Sequence, residues 1–509
     1  MRTPHFVLAA AALLLGACTL VPHYERPASG LGTAGTAWPT GPAYAANGQP
    51  HADAPLAADI GWRDFFLDPQ LRAAIALALE NNRDLRIAVL NVEAAQARFR
   101  IQRGALFPAI GANAADNVQH VSARARNGFG VGSSGGGGGR TFRTFSAGIG
   151  FTSYEIDFFG RIRSLDEAAF QRYLEQDENR RTAQITLVAE VANDYVAYLA
   201  QMELLQLAQE TVANQQKAYD LTHQSFAAGV ATALDLSQAQ QALDTAQADV
   251  AHFTRNVAQA ANLLVPLLGT PPPAALLRAK TLLADEHFLD VLPADLPSSL
   301  LAQRPDIRAA ENELRAANAN IGAARAAFFP SISLTGSFGT ASSQLSGLFG
   351  NHSEQWTFAP SISIPIFAGG ANKANLDLAH IGKNVAIAQY QKAIQSAFRE
   401  VADALAARGT LNAELAAQQR LVAAAQTSYD LSLQRFRQGV DNYLNVLDAQ
   451  RTLYQAQQSV INTRVASLQS RITLYTALGG GWQAQSVADD STAGNAIQGS
   501  AGAGAVATK

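Results

Sequence analysis

The sequence predicts a mixed fold in which long α-helices join transmembrane β-strands, the whole built as two internal repeats. Three observations predict it. First, Asn82-Arg83-Asp84-Leu85-Arg86 lies on Arg304-Pro305-Asp306-Ile307-Arg308 at an offset of 222, which also sets Leu106-Phe107-Pro108 on Phe328-Phe329-Pro330. Further along, an offset of 210 matches Tyr219-Asp220-Leu221 with Tyr429-Asp430-Leu431 and continues through Phe226/Phe436, Gly229/Gly439, Val230/Val440 and Gly269/Gly479. Second, each copy holds runs in which apolar and small polar residues alternate with period two, the mark of strands. Third, each holds a proline-free stretch rich in Ala, Gln, Leu, Glu and Arg, from Gly160 to Phe226 and from Gly370 to Phe436. At ~1.5 Å per residue such a helix reaches ~100 Å.

The elements follow in order. Arg2 precedes an apolar run, Phe6 to Ala17, too short to span a bilayer permanently, so residues 1–17 read as a signal peptide. The run closes in Leu15-Gly16-Ala17-Cys18, which resembles the lipobox of bacterial lipoproteins; Cys18, the chain's one cysteine, is then the lipid acceptor, and Thr19 after it implies the outer membrane. Residues 18–58, rich in Pro, Gly and Ala, are expected to form an extended tether outside the fold. The first repeat covers 59–270, with strands at about 106–118 and 141–157 and, between them, the flexible Gly128 to Gly139 loop that accounts for the change of offset. That loop lacks the Gly-Lys-Ser/Thr of a phosphate site. After the first long helix and the Gly229-Val230 turn, a return helix carries Leu236, Ala239, Leu243, Ala246, Val250, Phe253, Val257, Ala260, Leu264 and Leu267 in steps of three and four, a coiled-coil seam. Ile185, Val188, Ala192, Tyr195, Leu199 and Met202 do the same on the outgoing helix. Residues 271–300 form a linker.

The second repeat, 301–482, shows its strands more plainly, at about 328–339 and 356–367. There Ile332, Leu334 and Phe338 alternate with Ser331, Ser333, Thr335 and Ser337, and Trp356, Phe358, Ile362 and Ile364 with Thr357, Ser361 and Ser363. Aromatics at the strand ends (Trp356, Phe358, Phe367, Phe142, Phe145, Phe158, Phe159) fit the girdles of an outer-membrane barrel. Arg161, Arg163 and Lys373, just past the strands, either meet lipid headgroups or form a solvated patch. The tail, 483–509, of small residues, is expected to be disordered.

Net charge is −3 without a basic patch, which argues against nucleic acid as a partner. The nine histidines are scattered and neither a His-Glu-x-x-His nor a Gly-x-Ser-x-Gly pattern occurs, so no enzyme chemistry, metal or cofactor is expected beyond the covalent lipid at Cys18. Four strands cannot close a membrane barrel, for which about eight are needed, and open edges in lipid cost several kcal/mol per unpaired group. Several chains must therefore pool their strands.

The lipobox, the doubled unit, Arg304-Pro305-Asp306-Ile307, the two Phe-Pro strand starts and the run from Gly439-Val440-Asp441-Asn442 to Asp448-Ala449-Gln450 resemble the outer-membrane efflux protein family, TolC-like, in its drug-efflux lipoprotein (OprM-like, NodT-type) branch. The resemblance covers nearly the whole mature chain. It implies a homotrimer whose 12-stranded β-barrel in the outer membrane continues into a 12-helix periplasmic α-barrel. It also implies two partners, a periplasmic membrane-fusion adaptor and an inner-membrane pump of the resistance-nodulation-division type, with this chain as the exit duct for drugs or other small solutes. A type I protein secretion or metal export system would use the same channel, and a periplasmic structural coiled-coil lipoprotein would explain the helices but not the strands.

On the second return helix Asp441, Asn445, Asp448, Thr452, Gln455, Ser459 and Asn462 form one polar face, about 100° from the apolar stripe of Val446, Ala449, Leu453, Ala456 and Val460. The corresponding face of the first is broken by Ala231 and Ala242. In the family the matching helices line the periplasmic entrance, and members with Asp-x-x-Asp place two acidic rings there; Asn445-x-x-Asp448 keeps one. The implied gate is Asp448, with Asn445, Asp441 and Arg451 as neighbours, and Gly229, Val230, Gly439 and Val440 mark the hairpin tips. Symmetry-related Asp448 carboxylates at a narrow tip would repel one another unless paired or hydrated, and would attract cations.

Overall fold

A computed structural model describes residues 19–31, 38–44, 57–122, 139–277, 283, 288–289 and 303–486. Cys18, the signal segment, most of the glycine loop and residues 487–509 lie outside the described residues. Seven helices of more than two turns and four strands are described: α1 (Pro69–Asn81), α2 (Arg83–Gly104), β1 (Ile110–Val121), β2 (Arg140–Ile156), α3 (Arg161–Ala227), α4 (Ala233–Leu268), α5 (Pro305–Ala326), β3 (Ser331–Ser342), β4 (Glu354–Ser363), α6 (Ala371–Arg437) and α7 (Tyr443–Ala477). α3 and α6 are each 67 residues long. No described helix is long and apolar enough to cross a membrane. The chain divides into two compact units, one of Met1–Pro27, Glu93–Glu175 and Glu311–Gln389, the other of the remaining residues.

The first unit holds one antiparallel sheet in the order β1-β2-β3-β4. Its register sorts the side chains by face: Ile332 lies opposite Ile362, Leu334 opposite Pro360 and Phe338 opposite Trp356, while Ser331 meets Ser363 and Ser333 meets Ser361. One face is therefore apolar and the other small and polar. β2 keeps to this scheme by a correction in its backbone. Phe145, Ile149 and Phe151 face with β3's apolar residues, and a bulge between Phe151 and Tyr154, with Ser153 at φ 53°, resets the phase so that Tyr154 and Ile156 join them. Without the extra residue those two would turn to the polar face. The outer strands β1 and β4 are exposed along nearly their whole length.

Two strands, β1 and β3, start later than the alternation suggests, and β4 ends earlier, at Ser363. The cause is local. Phe107 N–H donates to the Gly104 carbonyl and Phe329 N–H to that of Ala326, so these residues close helix ends, and neither Pro108 nor Pro330 has an N–H for a ladder. Pro365 likewise halts β4.

The expected tether corrects most sharply. Thr19 to Pro27 run antiparallel along α5: Arg26 pairs with Glu311 at 2.7 Å, the Pro22 carbonyl accepts from Asn318 at 2.8 Å, and the Leu20 carbonyl accepts from Arg325 at 3.2 Å. Gly322 leaves room for Val21, which any side chain there would strike. Burial pushes the Glu311 carboxyl up, but hydrogen bonds from Arg26 and Arg315 outweigh it and hold the group below the ordinary glutamate range. In the second unit the same strap continues along α6, where Trp38 stacks on Phe398 with ring centroids 5.0 Å apart. A few aromatic and charged anchors thus dock a segment whose composition reads as unstructured.

The second unit is a helical core around Trp62, Phe65, Phe66, Leu264, Ile307 and Tyr475. Phe65 stacks on Tyr475 at 3.9 Å, and the Tyr475 hydroxyl donates to the Ile60 carbonyl at 2.7 Å. The tail begins ordered, not disordered: Trp62 N–H donates to the Gln483 carbonyl at 2.9 Å and Ser486 Oγ donates to Asp64 at 2.6 Å. Phe288, in the linker, bridges to Phe66.

The recurring motifs occupy equivalent posts. Asn82 caps α2 through Leu85 N–H and donates its amide to the carbonyls of Pro266 and Leu267 at the end of α4. Arg304, buried before α5, donates to the Ala477 carbonyl at the end of α7 at 2.7 Å and pairs with Asp306 and Glu400, each at 2.8 Å. Leu267 and Ala477 stand 210 apart, the helix offset. Each motif thus ties the start of one helix to the unsatisfied carbonyls of another.

Two outcomes are expected. Arg304→Ala strands the Ala477 carbonyl and two half-buried carboxylates and should lower stability by about 2–4 kcal/mol, read as an earlier thermal transition of the detergent-solubilised protein, with little rescue by lysine. Because the Glu311 pKa is depressed on folding, its contribution is fully present above the ordinary glutamate pKa and lost as pH falls through the lowered one. Glu311→Gln should reproduce that loss at pH 7, so that chymotrypsin cuts after Tyr24 roughly tenfold faster than in the parent; equal rates would refute the latch.

Candidate gate at the helix tips

Both long hairpins turn on a glycine in the left-handed region, Gly229 at φ 76° and Gly439 at φ 71°. A β-branched residue would be strained there. Val230 and Val440 stand exposed beside them. The two tips differ in what their acids do. At the first, Thr232 and Asp235 form a reciprocal capping box, which holds the Asp235 carboxyl below its usual range. At the second, Asn442 caps α7 only weakly, its amide oxygen 3.4 Å from Asn445 N. Asp441 is instead gripped across the turn by Arg435, whose Nη2 lies 3.1 Å from Oδ1, and that guanidinium keeps the carboxyl low.

Asp448 is exposed and pairs with Arg451 one turn further along α7. The polar face holds: Asp441, Asn445, Thr452, Gln455, Ser459 and Asn462 are exposed or half-exposed, whereas Val446, Ala449, Leu453 and Ala456 are buried. The stripe then departs from the expected one, because Ile461 takes the buried seat in place of Val460 and Leu468, Ile472 and Tyr475 continue from it. An α-helix turns 3.6 residues, so a seam that follows 3.5 must slip. On α4 the slip puts Leu268 inward in place of Leu267, and Val250, Phe253 and Val257 are only half-buried.

Asp448 and Arg451 also rim a groove of about 340 Å³ between α3, α4 and α7, faced by Gln238, Gln241 and Asp249 of α4. Across it the Tyr454 hydroxyl donates to Asp249 at 3.1 Å, and burial, then the Asp249 charge, push that phenol up to about 12. Behind the tips Tyr443 packs with Val446, Ala239, Tyr219, Tyr429 and Phe436. Arg435, Asp249 and Tyr454 are the members that the spacing of α7 alone does not reveal. The pairing of Arg435 with Asp441 crosses a turn, and that of Tyr454 with Asp249 crosses from one hairpin to the other.

At the opposite ends of the long helices, Arg161 pairs with Glu155 at 2.6 Å and Arg163 with Asp157 at 3.2 Å. Asp157 also accepts the N–H groups of Ile162 and Arg163, capping α3. The two arginines are therefore internal ties, while Lys373 is exposed. Cys18 lies outside the described residues.

Comparisons with known proteins agree over more than nine-tenths of the chain. The toluene efflux pump outer membrane protein TtgC of Pseudomonas putida is 47% identical over 479 residues, 94% of this chain and 96% of that one. The open state of the Neisseria gonorrhoeae MtrE outer membrane channel superposes with a TM-score of 0.81 at 38% identity, covering 92% of this chain and all of that one. A membrane protein from Pseudomonas aeruginosa gives 0.80 at 40% identity over 91% of this chain and all of its own. With the outer membrane efflux protein profile matching residues 74–270 and 296–480, the chain belongs to that family, whose members are channels of the outer membrane.

Proposed function

We propose that this chain is the outer-membrane exit duct of a tripartite efflux system, a homotrimer of duplicated subunits that passively conducts drugs or other small solutes. One observation carries the reading: a four-stranded sheet with one apolar, exposed face and two open edges leads directly into helices of 67 residues. The run from Phe145 to Ile156, at about 3.3 Å per residue and a tilt near 40°, rises roughly 28 Å, close to the ~25 Å apolar band of outer-membrane barrels. Three copies supply twelve strands, enough for a lumen lined by the Ser and Thr face. The helices then cross the periplasm toward an adaptor and a resistance-nodulation-division pump, as the pump-associated name of TtgC supports.

The lipid belongs at Cys18. The strap delivers Leu20 to Arg325, two residues from Cys18 and at the end of α5 that leads into β3, so an acylated Cys18 would meet the bilayer where the sheet enters it. The gate belongs at Asp448, held by Arg451, with the Arg435–Asp441 clasp stiffening the tip.

The test is conductance in planar bilayers. The parent should form cation-preferring channels, and Asp448→Asn should lower cation preference on the order of twofold and relieve block by divalent cations. Unchanged selectivity would remove Asp448 from the gate, and absence of any channel would remove the duct. Mass spectrometry of the mature protein should find a diacylated Cys18, and Cys18→Ser should mislocalise the chain while leaving its helix content intact; an unmodified N-terminus would exclude the anchor.

A further inference from the structure

Gln215 on α3 is out of keeping with its surroundings. It is only 7% exposed, and its carboxamide oxygen has no hydrogen-bond partner. A buried acceptor left without a donor lowers stability, so its presence calls for a reason. The fold itself supplies none. By the offset of 210 the counterpart of Gln215 on α6 is Ala425, which is buried without a polar atom in its side chain. The register of this comparison is fixed by the next residue, since the Gln216–Asp220 side-chain bond of 2.9 Å recurs on α6 as Gln426–Asp430 at 3.0 Å. One copy fills the seat with a methyl group, the other with an acceptor that lacks a donor.

Gln215 lines the groove of about 340 Å³ between α3, α4 and α7, a volume within the range of small-molecule sites. Two further features of that groove describe an occupant. Ala246, Leu444 and Leu447 give it apolar surface. Asp249 brings a charge that no cation answers: among the described residues its carboxylate accepts from the neutral Tyr454 phenol at 3.1 Å and pairs with no lysine or arginine. Asp448, at the rim, is by contrast neutralised by Arg451. An anion would be repelled by Asp249, and a plain hydrocarbon would leave Gln215 without its donor.

We infer that this groove is a binding site for an amphipathic organic cation, whose N–H group donates to Gln215 Oε1 and whose positive charge faces Asp249. The inference deepens the exit-duct reading by naming a class of solute, and it rests on that reading only for the route by which the solute arrives.

Ethidium is the probe, a planar apolar cation with amino donors whose fluorescence rises on leaving water, and the planar anion fluorescein is its control. Titrated into the full-length protein in non-ionic detergent, ethidium should show saturable enhancement and fluorescein none. Asp249→Asn should weaken ethidium binding about tenfold, through loss of one charge in a partly buried site. Gln215→Met should weaken it about fivefold, through loss of one hydrogen bond. Because Gln215→Met keeps the length of the side chain and removes the orphaned acceptor, its thermal transition should be no lower than the parent's, which separates lost binding from lost folding. Equal ethidium binding by the parent and both variants, no saturable binding, or equal binding of fluorescein overturns the inference. So does loss of ethidium by Asp448→Asn while Asp249→Asn keeps it, since the cation then sits at the gate. Planar-bilayer recordings on the same samples separate the two readings. Open channels without ethidium binding overturn the groove alone, whereas binding that depends on Gln215 and Asp249 in a protein that forms no channel upholds the groove and removes the duct.

Discussion

Unpaired backbone at the edges of one sheet is the constraint on which the rest depends. A strand in hydrocarbon has no water to bond, so the N–H and C=O groups on the outward edges of β1 and β4, the edges not laddered to β2 and β3, need partners beyond this sheet. Helices inherit this demand because each strand is continuous with one: α2 leads into β1, β2 into α3, α5 into β3, and β4 into α6. Whatever ordering the strands adopt, the long helices adopt too. In the oligomer proposed above, a barrel of sheet and a barrel of helix are then two readings of one closure condition.

The second theme is how a duplicated unit satisfies the same post with different chemistry. Asn82 and Arg304 both hold the C-terminal carbonyls of a return helix, one with a neutral amide and one with a guanidinium that also collects Asp306 and Glu400. The neutral version needs no counter-charge and fits a site walled by Pro266 and Leu267; the charged version links three segments at once. The two posts therefore share the placement of the tie and differ in its reach. The tips follow suit, a capping box at Thr232 and an ion pair at Asp441.

Periodicity made the strands and the long helices legible, because alternation at Ile332 to Phe338 and the proline-free stretches ending at Gly229 and Gly439 are strong local signals. Other parts were hidden for physical reasons. The described parts of the segment, 19–31 and 38–44, are held by Tyr24, Arg26, Trp38 and Tyr44, too few anchors to shift a composition dominated by Pro, Gly and Ala. The helical signal of α2 is blurred because Ala95 is buried while Ala94 and Ala97 are exposed. At the tips, Asp448 and the polar face were visible as spacing, whereas Arg435, Asp249 and Tyr454 act across turns and between helices, where linear spacing carries no information.

The single extra residue beside Ser153 carries a mechanical consequence. Below it, β2 runs three residues, Tyr154 to Ile156, and three more lead to Gly160 and the first turn of α3, so the phase set by the bulge is also the phase in which a 67-residue helix leaves the strand. Removing one residue would swing Tyr154 and Ile156 to the opposite side of the strand and, transmitted through the short joint, rotate every seat on α3 away from its partner. The bulge works as a keyway between two machine parts of different pitch, a two-residue repeat driving a 3.6-residue repeat. Length changes in this chain are therefore tolerable in the glycine run between β1 and β2 in the sequence, and disruptive between Phe151 and Arg161.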